Sequence, residues 1–156
     1  MKIAEYNKKS YRLAEEDNKL FLMHRGIETN FVKVADYYDY KDKLVNNLYE
    51  KEITESDLDD AYIVWHDVIY KGEQFEADDI ESLLESDSLE IDTDDLRIAN
   101  KYGFKLEDPY WYSKKIKLKD IEALIETKEP ILRFKETKNI TTRTIPKEDI
   151  IDYVKD

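Results

Sequence analysis

The chain has 156 residues with 37 acidic and 25 basic side chains, a formal net charge of −12. That length suits one domain rather than two full ones, and an apolar fraction of 41% with only three Gly and three Pro excludes a disordered or low-complexity chain. The absence of cysteine excludes disulfides, thiolate catalysis and thiolate metal sites, and suits a reducing compartment.

Met1 to Asn7 is polar and is followed by Lys8 and Lys9 rather than an apolar run, so neither a signal peptide nor a membrane span is expected. Tyr11 to Ala14 and Leu20 to Met23 flank the polar turn Glu15 to Lys19 and predict a hairpin around Asp17-Asn18. Gly26 to Asn30 makes the next connection, to a strand over Phe31 to Val34. Beyond Asp36 the residues Tyr37, Tyr40, Leu44, Val45 and Leu48 fall on one helical stripe, which predicts a helix from Asp39 to Glu50.

Ala61 to Tyr70 has the β-branched and aromatic density of a buried strand. Leu58, Tyr62, Trp65 and Ile69 also make a helical stripe after the cap-like Ser56, and helix is the favoured reading. Beyond Glu50 a short pattern recurs, an apolar residue followed four positions later by Asp and an aliphatic. The copies are Ile53 to Asp57-Leu58, Phe75 to Asp79-Ile80, Ile91 to Asp95-Leu96, Ile116 to Asp120-Ile121 and Ile145 to Asp149-Ile150. Their spacing is too irregular for a solenoid; acids in a first turn favour the positive helix N-terminus, so the copies read as five helix starts.

Helices are therefore expected near Glu76 to Glu85, Thr93 to Tyr102, Leu118 to Thr127 and Pro146 to Val154, with Gly103 closing the second and Pro146 opening the last. Ile131 to Glu136 and Ile140 to Ile145 flank Thr137 to Asn139 and predict a second hairpin. The expected class is α+β, with N-terminal antiparallel strands, central acidic helices and a C-terminal hairpin and helix in a single domain, 1–156. Within it lie a strand-rich region over 1–51, an acidic helical region over 52–109 and a C-terminal region over 110–156.

Charge is distributed unevenly over those regions: net +1 in 1–51, −15 in 52–109 and +2 in 110–156. Between Glu52 and Asp95, 17 acids face one base, Lys71. Their mutual repulsion opposes compaction, so the arrangement points to a use other than stability, although carboxylates also serve simply to keep a surface solvated.

Familiar chemistries find little purchase. Asp92-Thr93-Asp94-Asp95 lacks the central Gly of a calcium loop, and His24 and His66 have no second His at ligand spacing, so no metal or cofactor is expected. Three isolated glycines make no phosphate loop, and no Gly-x-Ser-x-Gly supplies an acyl-transfer nucleophile. Carboxylate pairs for a hydrolase are too abundant among 37 acids to carry information. Ala99 to Gly103 resembles the end of a helix-turn-helix first helix, but Glu107, Asp108 and Pro109 stand where a recognition helix would begin. Only Lys114, Lys115, Lys117 and Lys119, beside Tyr110, Trp111 and Tyr112, could touch nucleic acid, and direct nucleic-acid binding is not expected.

The expected site is an anionic face made of Asp57, Asp59, Asp60, Glu73, Glu76, Asp78, Asp79, Glu81, Glu85, Asp87, Glu90, Asp92, Asp94 and Asp95. Its expected partner is a basic protein, such as a nuclease or other nucleic-acid-binding protein, whose groove attracts closely spaced negative charge as it attracts phosphates. Tyr62, Trp65, Tyr70 and Phe75 lie within the acidic run and are candidate apolar anchors. In charge, size and lack of cysteine the chain resembles small acidic inhibitors of phages and other mobile elements, including nucleic-acid mimics and anti-CRISPR proteins. That resemblance implies a non-enzymatic inhibitor in the cytoplasm of a bacterial or phage-infected cell, and it carries no motif from which a site could be transferred. An immunity or antitoxin-like protein acting on one basic toxin is the alternative, and a carboxylate-dependent hydrolase the third.

Overall fold

Asp17 and Asn18 both take left-handed backbone conformations, φ 50° and 62°, as a tight two-residue hairpin turn demands. The strands they join run antiparallel with Leu13 opposite Leu22, so this expected hairpin is present. A β-branched side chain is strained at such a position, whereas Gly is at home there. Asn18→Val should lower stability by about 1–2 kcal/mol in urea unfolding, while Asn18→Gly should leave it within about 1 kcal/mol.

The computed structural model describes residues 1–156. In chain order the strands are β1 Lys2–Tyr6, β2 Lys9–Glu16, β3 Lys19–Arg25, β4 Val32–Lys33, β5 Tyr37–Tyr38, β6 Leu44–Val45, β7 Leu48–Ile53, β8 Asp60–Tyr70 and β9 Glu73–Asp78. Helix α1 Ser82–Ser86 precedes β10 Ser88–Thr93, and α2 Leu96–Tyr102 precedes β11 Lys105–Asp108, β12 Trp111–Lys117 and β13 Ala123–Pro130. The chain then forms β14 Thr141–Pro146 and α3 Ile150–Lys155, and four single-turn 3-10 segments occur at Glu55–Asp57, Leu118–Asp120, Leu132–Glu136 and Lys147–Asp149. No helix is long and apolar enough to cross a membrane.

Two compact units share the chain. The first comprises Met1–Val64 with Lys128–Ile140, the second Trp65–Thr127 with Thr141–Asp156, so β8 is divided between them and the boundary falls inside the acidic segment 52–109. In the first unit the strands lie in the order β8-β1-β2-β3-β7-β4, all neighbours antiparallel. Its core gathers Ala4, Tyr11, Leu13, Leu22, Ile53, Leu58, Ala61 and Phe134. In the second the order is β11-β12-β10-β9-β8, again antiparallel, with β13 paired to β14 and β8. One face of this sheet is apolar: Val68, Phe75, Leu89, Ile91 and Ile116 meet Leu83 of α1, Ala99 of α2 and Ile150 of α3.

The α+β expectation with central acidic helices is therefore overturned, because strands take 51% of the residues and helices, mostly single turns, 21%. Each displaced helix has a physical reason. In the predicted Asp39–Glu50 helix the Asp39 carboxylate accepts from the amides of Lys41 (2.8 Å) and Lys43 (2.9 Å), closing a turn that competes with helix, and Leu48 onward pairs with β3 as β7. Ala61 to Tyr70 is strand, not helix: Ala61 enters the first core and Val68 and Tyr70 the second. Buried positions at 61, 64 and 68 thus fall at helical intervals although the backbone is extended.

Glu76 to Asp78 continues β9, with Phe75 turned to the core and Glu76 to solvent, and helix forms only from Ser82. Leu118 to Asp120 makes one 3-10 turn before β13, where Leu124, Glu126 and Thr127 are buried. The predicted strand Ile131 to Glu136 is instead a 3-10 turn that inserts Phe134 into the first core, so β14 pairs with β13 rather than with that segment. Two helical expectations hold in shortened form: α2 is capped by Asp95 and closed by Gly103 at φ 73°, and α3 follows the turn that Pro146 opens.

The five-copy pattern has a different meaning from five helix starts. Its apolar members Ile53, Phe75, Ile91, Ile116 and Ile145 are all buried residues of strands. In three copies one 3-10 turn follows and returns the aliphatic Leu58, Ile121 or Ile150, each at most 2% exposed, to the core. In the first copy the Asp satisfies the turn: Asp57 Oδ2 accepts from the Thr54 amide at 2.9 Å.

Candidate functional site

Residues 73–95 contain eleven Asp and Glu and no Lys or Arg. They fold as β9, α1 and β10, with Glu90 directly opposite Asp78 and Asp92 opposite Glu76. Because side chains alternate along a strand and Phe75, Leu89 and Ile91 point into the core, Glu76, Asp78, Glu90 and Asp92 share the outer face. Asp67, opposite Glu76 on β8, adds a fifth carboxylate and accepts from Gln74 Nε2 at 2.9 Å. The charge counts in the sequence included Asp67 but gave no reason to single it out; strand register supplies one.

The α1 end of this hairpin continues the patch. Asp79 and Asp87 hold left-handed conformations, φ 47° and 51°, on either side of the helix, and Glu81 at its N-cap and Glu85 within it are exposed. Asp and Asn tolerate that conformation better than most residues, so these two positions join turn geometry to charge. None of the eight carboxylates of the face and the α1 end, Glu76 to Asp92, forms an ion pair. Lys115 on β12 lies opposite Glu90 and Lys117 opposite Ser88, so the patch has a basic border on that side.

The remaining expected site residues lie elsewhere. Glu73, Asp94 and Asp95 are at the far end of the β9–β10 pair, and Asp95 accepts from the Arg97 and Ile98 amides and pairs with the Arg97 guanidinium at 3.1 Å. Those bonds, the side-chain one first, hold its carboxyl below the usual range. Asp57, Asp59 and Asp60 belong to the first unit, where Asp57 is committed to the Thr54 turn and Asp60 pairs with Lys138 at 2.7 Å. Of the candidate anchors, Tyr70 and Phe75 are core residues and Tyr62 lies in the first unit, its hydroxyl donating to Glu5. Trp65 is left, 38% exposed on the outer face beside the acids.

Asp92 is the most constrained member of the patch. Only 6% exposed, it has its pKa raised to about 6, by burial first, then by a hydrogen bond to Asp78 and the charges of Asp78 and Glu90. The Trp111 indole N–H donates to it and opposes the rise. Below about pH 6 Asp92 keeps its proton beside Asp78; above it, Asp92 is charged at the centre of the patch.

Behind the sheet lies a second polar group of another kind. Glu126 on β13 receives the Tyr153 hydroxyl proton on Oε2 and the Arg143 guanidinium at 3.3 Å on Oε1. Tyr153 has one proton to give, so its oxygen accepts from His66 Nε2 at 2.7 Å, which fixes the tautomer of that imidazole. Glu126 is buried while Arg143 covers it from the solvent side, and the group braces α3 against β8 and β13. No set of three carboxylate or imidazole groups is gathered closely enough to hold a metal ion.

No curated protein and no solved structure matches the chain. The model of the family described as Uncharacterised conserved protein UCP033725 matches residues 2–133.

Proposed function

The chain belongs to this family, and we propose that it is a non-enzymatic binding protein that inhibits a nucleic-acid-binding enzyme, of nuclease or CRISPR-effector type, by presenting the β9–α1–β10 carboxylates to its basic groove. The observation that carries the reading is the crowding of the patch: none of its carboxylates is in an ion pair, and bases border it only on the β12 side. Eight carboxylates crowd one face and one end of a single hairpin without an ion pair, and one of them, Asp92, is nearly buried. Closely spaced fixed negative charge attracts a groove built for phosphates and speeds encounter, while affinity comes from apolar anchors, here Trp65 at the edge of the patch. Asp57, Asp60 and Asp95 take no part, being used in a turn, an ion pair and a helix cap, and Asp59 lies with the first two in the other unit.

The test begins with capture of a partner from the native host by the immobilised chain. A fluorescein-labelled DNA duplex is then displaced from the purified partner by free chain. Displacement should weaken steeply with added salt. A variant carrying Glu76→Gln, Asp78→Asn, Asp79→Asn, Glu81→Gln, Glu85→Gln, Asp87→Asn and Glu90→Gln should compete at least about tenfold less well at low salt. Undiminished competition by this variant, folded by circular dichroism, would remove the basis of the proposal.

A further inference from the structure

The first unit contains a cavity of about 310 Å³ whose chemistry is opposite to that of the acidic hairpin. The rings of Tyr6, Tyr11 and Phe31 form one part of its lining, with Tyr11 5.3 Å from Phe31 and 6.5 Å from Tyr6 between centroids, and Asn7, Thr29 and Asn30 line the rest beside the charged groups. These rings meet because Tyr6, Tyr11 and His24 project from the core-facing side of β1, β2 and β3, and the 26–31 loop folds Phe31 back over them. The Gly26 amide, bonded to Asn47 O at 2.7 Å, secures the root of that loop.

Two ammonium groups and one carboxylate line the same cavity. Lys9 and Glu28 neutralise each other at 3.2 Å, and Glu28 is mostly buried, with 17% of its side chain exposed. Lys51 has no such partner. It stands on β7 opposite Leu22, among core-facing positions, half-buried and without a hydrogen bond or ion pair. A cavity lined in part by three rings, in which Lys9 and Glu28 neutralise each other and a half-buried ammonium is left without an ion pair, favours an anion that carries a ring. A half-buried lysine without an ion pair gains from an anionic partner, and aromatic side chains gain from a flat apolar body.

We propose that this cavity binds a small anion carrying a flat ring, with the ring against the exposed sides of Tyr6, Tyr11 and Phe31 and the anionic group on Lys51. The site is separate from the acidic hairpin, and its occupancy does not depend on the function proposed for that hairpin. A cavity of this volume holds a ring system of one or two cycles with a single carboxylate, sulfonate or phosphate.

Two fluorescent probes that share a ring system decide the matter on the full chain. They are 1-anilinonaphthalene-8-sulfonate, which carries the anion, and N-phenyl-1-naphthylamine, which lacks it. The sulfonate should bind at one saturable site at least about tenfold more tightly than the neutral amine. Lys51→Met should remove that preference while leaving the amine's affinity unchanged, Lys51→Arg should retain it, and Phe31→Ala should weaken both probes. Equal affinity of the two probes for the wild-type chain overturns the proposal without recourse to any variant. So does a sulfonate affinity that Lys51→Met, still folded by circular dichroism, leaves intact.

Discussion

Asp92→Asn should raise the thermal midpoint of the protein by about 4–8 °C at pH 7.5 and leave it nearly unchanged at pH 4. The direction follows from the raised pKa. Between the ordinary carboxylate value of 3.8 and about 6 the folded chain keeps a proton on Asp92 that the unfolded chain has released, so stability falls as pH rises through that window. Above about pH 6 the full penalty applies, up to about 3 kcal/mol from the shift alone, and about 2 kcal/mol is a fair expectation after local relaxation. An Asn there does not titrate; its amide can donate to Asp78 while its oxygen accepts from Trp111. Melting curves at the two pH values check it, and a gain of the same size at both would show that Asp92 is not held in the way described. If the acidic hairpin serves a partner, the same substitution should weaken binding as it strengthens the fold, the familiar conflict between a strained site and stability.

The second large effect concerns the group behind the sheet. Glu126→Ala should cost about 3 kcal/mol, because it leaves the Tyr153 hydroxyl without its acceptor, frees Arg143 and unseats α3 from the core. Glu126→Gln should cost less, since the amide oxygen still accepts from Tyr153. His66 gives the group a pH signature. Burial, outweighing the pull of Glu126, lowers its pKa, so the fold holds the neutral imidazole. Its contribution is present at neutral pH and is lost as pH falls through the unfolded value of 6.5, the opposite sense to Asp92. In urea unfolding, His66→Gln should flatten the stability profile between pH 7 and 5. A profile that stays as steep in this variant would place the titrating group elsewhere.

Legibility in the sequence followed the range of the interactions responsible. The Asp17-Asn18 hairpin, the Gly103 cap of α2 and the turn at Pro146 are local devices, and each is readable from a few neighbouring residues. β1 was passed over because only Ala4 in it is buried and its lysine and glutamate read as a polar tail, although two strands flank it. β8 carried a helical stripe because its buried residues serve two cores in succession, and β13 resembled a surface helix because Glu126 is buried only with help from Tyr153 and Arg143. For the candidate site, composition located the acidic run but not its division. Only register could separate the face of Glu76, Asp78, Glu90 and Asp92 from the cap Asp95 and the turn residue Asp57.

The interleaving of the two units along the chain also bears on how the protein comes to be made. Because the first unit needs residues 128–140 and the second residues 141–156, a nascent chain emerging from the ribosome cannot finish either unit before most of the other has been synthesised. Leu89, Ile91 and Leu124 wait for Ile145 and Ile150, and their sheet surface stays open until those arrive. Premature termination near residue 140 would release that surface uncovered, the kind of species that chaperones retain and that aggregates when they do not.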